Sequence, residues 1–357
     1  MSDQPTRPPV ADKRPETLTQ HNHTRTDDYF WLREKENEAV IDYIKKENSY
    51  TEAMMSHTAE LQKELYEEMV GRIQETDESV PVKRGNYYYY TRTKEGLQYS
   101  IYCRKKGGLD AAEEILLDPN QLAADHDYFR IGIYSVSPNH QLLAYSTDTT
   151  GSEHYTIYFK DLTTGQLLPE QIDNTIYNSA WANDNQTFFY TTMDNAWRND
   201  KVWRHTLGDD PTADVQLFHE PDALYSVKVF KTKDDAYLQV SIGSIESNEI
   251  YLLPADTPMA EWQLIHPRQP DMLYALTHHQ GTFYITTNEG EATNFKIMTA
   301  PAERPGKENW EPYIPHSTEQ YIRRTQAFAN HLVISERHNG LATIRIIDLT
   351  TQEQHHI

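Results

Sequence analysis

Sixteen histidines, 54 acidic residues and one cysteine are the side chains with which this 357-residue chain could bind a metal, move a proton or attack a carbonyl. Their spacing argues against most of that chemistry. The histidines fall as His21 and His23, His278 and His279, His355 and His356, and as scattered singles. No H-E-x-x-H pair occurs, and there is no cysteine pair to complete a zinc site. Asp27-Asp28 and Asp234-Asp235 are adjacent acids of the kind that share general acid and base work, but neighbouring side chains point apart and the second pair sits in a polar turn. No serine lies in G-x-S-x-G, the sharp turn that exposes a hydrolase nucleophile. No G-x-G pair and no Gly-Lys-Ser or Gly-Lys-Thr is present, which removes the standard glycine loops for dinucleotides and phosphates. The residues therefore assign no catalytic group, no metal ligand and no cofactor, and leave binding residues open.

The elements that would have to position any site repeat. Six polar turns, Arg84-Gly85-Asn86, Pro138-Asn139-His140, Asn183-Asp184-Asn185, Lys233-Asp234-Asp235, His279-Gln280-Gly281 and Ala329-Asn330-His331, recur roughly every 45 to 55 residues. Each is followed by a strand of aromatic and β-branched residues, at 87–91, 142–146, 187–191, 236–241, 283–287 and 332–336. Partner strands follow at 99–104, 155–160, 202–207, 249–253, 295–299 and 343–347. Asp161-Leu162-Thr163-Thr164 and Asp348-Leu349-Thr350-Thr351 end two of these units in the same four residues, and Gly165 after the first suits a left-handed turn position. A unit this small cannot bury a core alone. Arranged around an axis, such units cover one another and leave only short edges, so the repeat predicts an all-β propeller over 79–357. The last unit is expected to stop at its second recognisable strand.

Residues 36–73 have a helical period instead, with no proline and no glycine except Gly71. Val40 and Ile44, then Leu61, Leu65 and Met69, make one apolar stripe. Residues 1–26 are polar and proline-rich and are expected to form an extended leader, so 1–78 reads as leader and helical arm. The leader lacks the apolar centre of a signal peptide, and nowhere are there the roughly eighteen consecutive apolar residues of a membrane span. At 38% hydrophobic and 11% aromatic the composition supports a core. Cys103 alone makes no internal disulfide, which suits a reducing, cytoplasmic setting. A net charge of −21 disfavours nucleic acid and anionic membranes as partners and would attract cations.

Five segments together give the chain a family likeness: Asp27-Asp28-Tyr29-Phe30-Trp31-Leu32-Arg33, Glu47-Asn48-Ser49-Tyr50, Trp181-Ala182-Asn183-Asp184, Val202-Trp203-Arg204-His205 and Glu336-Arg337-His338-Asn339-Gly340-Leu341. Over essentially its whole length the sequence resembles the N-terminal half of the oligopeptidase B group in the prolyl oligopeptidase family of serine peptidases. That resemblance implies a seven-bladed propeller, of which about six blades are present here, capping an α/β-hydrolase domain on which the helical arm packs. It implies hydrolysis of short peptides after Arg or Lys, with the propeller as a size filter. The family's Ser, Asp and His triad lies beyond these 357 residues, so the chain is expected to be inactive alone and its own hydrolase domain to be its missing partner. Tyr29, Phe30, Trp31 and Leu32 would anchor the arm against that domain. Trp203 and His205 would share one face of a strand, with Arg204 on the other. An acidic blade surface would concentrate cationic peptides if its loops face the cavity. The uncovered helical stripe and an unpaired final strand edge predict self-association.

A different class of reading is a free-standing propeller used as an interaction scaffold, since a fold does not dictate a function. A propeller hydrolase acting through acids on its loops has no motif in its favour.

Overall fold

In the computed structural model, which describes residues 7–357, the chain divides into two units, Met1–Asp77 with Thr93–Glu95, and Glu78–Arg92 with Gly96–Ile357. The first unit differs from expectation at its start. Glu16–Gln20 (β1) and His23–Asp27 (β2) pair antiparallel through a turn in which His21 and Asn22 both take left-handed backbone angles, φ 53° and 61°. Two consecutive positive φ values give the two-residue turn that matches strand twist, usually written with glycine. His-Asn in its place, on strands polar on both faces, hides the hairpin from a sequence reading. The first six residues of the expected leader lie outside the described residues. Glu38–Met55 (α1) begins at Asn37, whose side chain accepts from the Ala39 amide at 3.0 Å. Ser56 and Thr58 break the helix by donating back to the Ala53 and Met55 carbonyls, and Ala59–Val70 (α2) follows. Val40 is buried, whereas Ile44, Leu61, Leu65 and Met69 are each close to half exposed.

The second unit is a propeller of four-stranded antiparallel blades. Blade 1 is Val82–Arg84 (β3), Tyr87–Arg92 (β4), Ile101–Lys106 (β5) and Glu113–Leu117 (β6). Blade 2 is Arg130–Val136 (β7), Leu142–Asp148 (β8), Tyr155–Asp161 (β9) and the first half of Leu167–Trp181 (β10). The second half of β10 is the inner strand of blade 3, which continues with Thr187–Met193 (β11), Asn199–Thr206 (β12) and Val215–His219 (β13). One long strand thus joins two blades into a seven-stranded sheet, with a register shift where it passes from one to the other. Blade 4 is Ser226–Lys231 (β14), Tyr237–Gly243 (β15), Asn248–Pro254 (β16) and Gln263–His266 (β17). Blade 5 is Tyr274–His279 (β18), Thr282–Thr287 (β19), Lys296–Pro301 (β20) and Glu311–Ile314 (β21). Blade 6 is Gln320–Ala327 (β22), His331–His338 (β23), Leu341–Asp348 (β24) and Gln354–His356 (β25), so the described residues hold six blades.

Blade 6 corrects the expectation that the last unit stops at its second recognisable strand. Three polar residues, Gln354, His355 and His356, pair with β24 and complete the sheet. They do so because Asp348 turns the chain: its carboxylate accepts the Thr350 and Thr351 amides at 2.7 and 2.9 Å. Asp161 does the same with Thr163 and Thr164 at 2.7 and 3.0 Å, and Gly165 and Gln352 occupy the same left-handed position, φ 75° and 63°. The four-residue identity in the sequence is one turn used twice.

Apolar clusters lie between successive blades. Leu116 and Leu117 of blade 1 meet Leu143 and Tyr145 of blade 2, and Ile157 and Phe159 meet Trp181 and Phe188 of blade 3. Phe189 and Val202 face Val227, Leu238 and Val240 of blade 4. Ile250 and Leu252 face Phe283 and Ile285 of blade 5, whose Tyr284 and Ile297 face Leu332 and Ile334 of blade 6. Alternation along each strand sends one set of side chains to each neighbouring blade. This is why the strands after the turns read as continuous apolar runs.

Candidate functional site

The inner strands β14, β18 and β22, with Arg84 at the end of β3, enclose a cavity of about 1010 Å³. Inner strands are short of neighbours on their axial side, so their exposed positions point there. Along β14 the buried residues are Val227 and Val229 and the exposed ones Lys228 and Phe230. In β22 a bulge between Ile322 and Arg324 inserts one residue and leaves both Arg323 and Arg324 exposed, side by side. A bulge is a standard way to re-aim a side chain. Six cations line the cavity, Arg84, Lys228, Lys231, Lys233, Arg323 and Arg324, and no carboxylate does.

Two neighbouring acids act from the turn that precedes β15. Asp235 pairs with Lys231 at 3.3 Å, and Asp234 accepts from the Nδ1 of His278 at 2.6 Å. Burial holds the Lys231 ammonium below the usual lysine range against the pull of Asp235. Burial, with the Arg324 charge adding to it, lowers Lys233. Burial would raise Asp234, but hydrogen bonds from Thr232 and His278 bring it below the usual carboxylate range. The adjacent acids thus serve different partners, as adjacent side chains must. Two buried polar atoms on lining residues have no hydrogen-bond partner among the described residues: Oε1 of Gln239, which is 1% exposed, and Nε2 of His278. The sign of this wall is opposite to that of the whole chain. The condition attached to an acidic, cation-gathering surface, that its loops face the cavity, is not met at this wall.

The other residues singled out in the sequence are placed in packing. Asp27 accepts from the Tyr29 amide at 2.9 Å, and Asp28 pairs with Lys13 at 2.9 Å. Trp31 is buried inside its own unit, donating its indole N–H to the Asp12 carbonyl at 2.9 Å beneath the Arg14 guanidinium. For Trp31 the anchoring contact is therefore with the leader. Burial first, then Glu113, pushes the Cys103 thiol up to about 11, which makes it inert.

Trp203 and His205 share a face turned to blade 2, where the His205 ring stacks on Phe159 at 5.6 Å, while Arg204 reaches the Pro258 carbonyl on the other side. His205 also reveals a partner that sequence reasoning missed: Asp214 accepts from its Nδ1 at 2.7 Å and from the Tyr190 hydroxyl at 2.8 Å. This is the pairing that orients a catalytic histidine, yet its Nε2 meets no hydroxyl or thiol and the ring is fully buried. It ties β11, β12 and the start of β13 together. Among the described residues no cluster of three or more His, Cys, Asp or Glu could hold a metal ion, and no helix is long and apolar enough to cross a membrane.

The family described as prolyl oligopeptidase, N-terminal beta-propeller domain, matches residues 8–357. The chain belongs to it. Among curated relatives it is 34% identical to dipeptidyl aminopeptidase BI of Pseudoxanthomonas mexicana, over 95% of this chain and 50% of that protein. It is equally 34% identical to Protease 2 of Moraxella lacunata, again over 95% and 50%. Among solved structures, oligopeptidase B from Leishmania major superposes with a TM-score of 0.90 at 32% identity, covering 97% of this chain and 52% of that one. The chain spans about half the length of the relatives it matches and corresponds to their propeller-bearing N-terminal portion.

Proposed function

We propose that this chain is the substrate-gating portion of a cytoplasmic serine oligopeptidase of the oligopeptidase B type, whose complete form hydrolyses short peptides after Arg or Lys. The observation that carries the reading is the superposition on oligopeptidase B across 97% of this chain. In this reading the Ser, Asp and His triad belongs to an α/β-hydrolase domain outside these residues. The exposed stripe of Leu61, Leu65 and Met69 on α2 is the surface that domain would cover, because roughly half-exposed large apolar groups in a row are stable only when covered. The propeller cavity is the route by which peptides reach or await that site, and its dimensions admit a chain segment and exclude a folded protein.

The test compares the 357-residue chain with the same chain joined to its hydrolase domain, on fluorogenic peptides ending in Arg, in Lys or in neutral residues. The joined form should cleave after Arg and Lys, and the chain alone should give no turnover, since among the described residues no serine, threonine or cysteine is hydrogen-bonded to a histidine that could act as its base. Turnover by the chain alone overturns the reading. Equal cleavage after neutral residues overturns the specificity, and release of dipeptides from free N-termini would instead place the enzyme with its dipeptidyl aminopeptidase relative.

A further inference from the structure

We propose that the axial cavity is a binding site for the carboxylate-bearing part of a peptide, held by Arg84, Lys228, Lys233, Arg323 and Arg324. This deepens the gating reading above and rests on it. These five cations line one cavity of about 1010 Å³ and have no carboxylate partner among the described residues. Lysine and arginine on a folded protein of net charge −21 find acids easily, and other cations here do so: Arg104 has Glu114, Arg268 has Glu220 and Lys296 has Glu289. Lys233 lies over the Phe328 ring rather than on a carboxylate, and gathering five cations without an ion-pair partner costs repulsion that an anionic occupant would relieve. Arg324 lies near enough to Lys233 for its charge to act on that ammonium, and like charges lining one cavity add their fields inside it.

The built character of the site goes beyond charge. The β22 bulge turns two consecutive arginines to the same side, and guanidinium groups match carboxylates in a planar, two-pronged fashion. The Gln239 side chain, almost fully buried and lining the cavity, has an unpaired polar end, and the amide can be turned to donate to a carboxylate oxygen. His278 offers a second unpaired nitrogen whose opposite ring nitrogen is already fixed by Asp234. The wall also carries exposed apolar groups, Phe230 at 39% and Tyr321 at 40%, which suit a peptide's side chains and have nothing to offer a bare inorganic anion. The cavity repels the Arg and Lys side chains that the proposed catalytic site would accept. A peptide entering it therefore keeps its basic residue away from the wall and presents its C-terminal or acidic end to it.

Fluorescence anisotropy of the 357-residue chain tests this with labelled hexapeptides that differ only in composition, glutamate-rich, glutamine-rich and lysine-rich. The glutamate peptide should bind at least about tenfold tighter than the others, and raising the salt severalfold should weaken it by a similar factor. Arg323→Glu with Arg324→Glu should remove the binding, and Lys228→Gln with Lys233→Gln, at exposed positions, should weaken it in the same direction if the first pair fails to fold. Lys45→Glu with Lys46→Glu, the same charge change on the exposed face of α1, should leave it intact. Equal binding of the three peptides, or an equal loss from the α1 pair, overturns the proposal. So does tripolyphosphate binding without binding of the glutamate peptide. Loss of basic-peptide hydrolysis in the joined enzyme with acidic-peptide binding retained would instead sink the gating reading alone.

Discussion

Blade 6 is held by a buried charge whose removal has a calculable effect. The Glu336 side chain on β23 is fully buried, and its carboxylate accepts from Arg345 Nη2 on β24 at 2.5 Å and from His356 Nε2 on β25 at 3.1 Å. Glu336 faces Thr343 in the ladder, so Arg345 is its diagonal neighbour, within reach of two long side chains. Arg345 is 9% exposed and its Nε has no hydrogen-bond partner. Glu336→Ala strands that guanidinium without a counterion, and breaking a buried pair from one side costs about 3 to 5 kcal/mol. Arg345→Ala should cost less, because His356 remains beside the carboxylate. Replacing both with Leu removes an incompletely satisfied pair and should return stability to within about 1 kcal/mol of the parent. The measurements are urea midpoints for the four proteins and hydrogen exchange in β23 to β25. A single Glu336→Ala cost below about 1 kcal/mol, or a double variant as unstable as the sum of the singles, would refute the reasoning.

Gly165→Gln copies Gln352 into the other Asp-Leu-Thr-Thr turn, where an added Cβ meets nothing within 4 Å, so only the left-handed backbone resists it; thermal melts should show a loss of about 1 to 2 kcal/mol. Gly132→Ala should lose about 1 to 3 kcal/mol, because its Cβ would stand 2.6 Å from the Tyr155 ring and 2.8 Å from Ser146 Oγ in the blade 2 interior, read by the same melts. Burial would raise the Asp148 pKa, but the Thr150, Glu153 and Gly151 amides and the Thr150 hydroxyl hold it below the usual carboxylate range. Its contribution is therefore complete above the unfolded value, about 3.9, and is lost as pH falls through the lower folded one. Asp148→Asn should lose about 1 to 3 kcal/mol at neutral pH and flatten that acid limb, checked by circular dichroism against pH.

How much of this was legible depends on where a strand sits in its blade. The second and third strands stand between two neighbouring sheets, so β8, β11 and β19 are nearly continuous apolar or β-branched runs after a polar turn, and the sequence shows them. Inner and outer strands escape the same reading for different reasons. Outer strands such as β17 and β25 are three or four residues long, too short for a period, and β25 is wholly polar. Inner strands β14 and β22 carry Lys228, Arg323 and Arg324 toward the axis, and β10 runs through two blades without a turn to announce the second. The candidate site falls on these inner strands, whereas two of the motifs singled out in the sequence, Trp181 to Asp184 and Val202 to His205, pack between blades. Asn183 shows it plainly: its amide donates to the Asp235 carbonyl at 3.0 Å and to Asp256 at 2.7 Å, tying blade 3 to blade 4.

Net charge leaves the sign of the cavity wall open for a related geometric reason. A sum over 357 residues counts every position alike, and a propeller has far more outer than axial positions, so the −21 total says little about one wall without a lining carboxylate. An axial wall is small, and a handful of residues sets its sign. Charges within a few Debye lengths act on a ligand far more strongly than a screened excess elsewhere. The distant acids therefore lower the general background of anion binding without cancelling the field inside the cavity. An acidic exterior around a basic interior gives selectivity that neither gives alone: anions are repelled from most of the molecule and retained at one place on it. Under the proposed gating role, the charge of a peptide's non-basic end would join its size in deciding its passage.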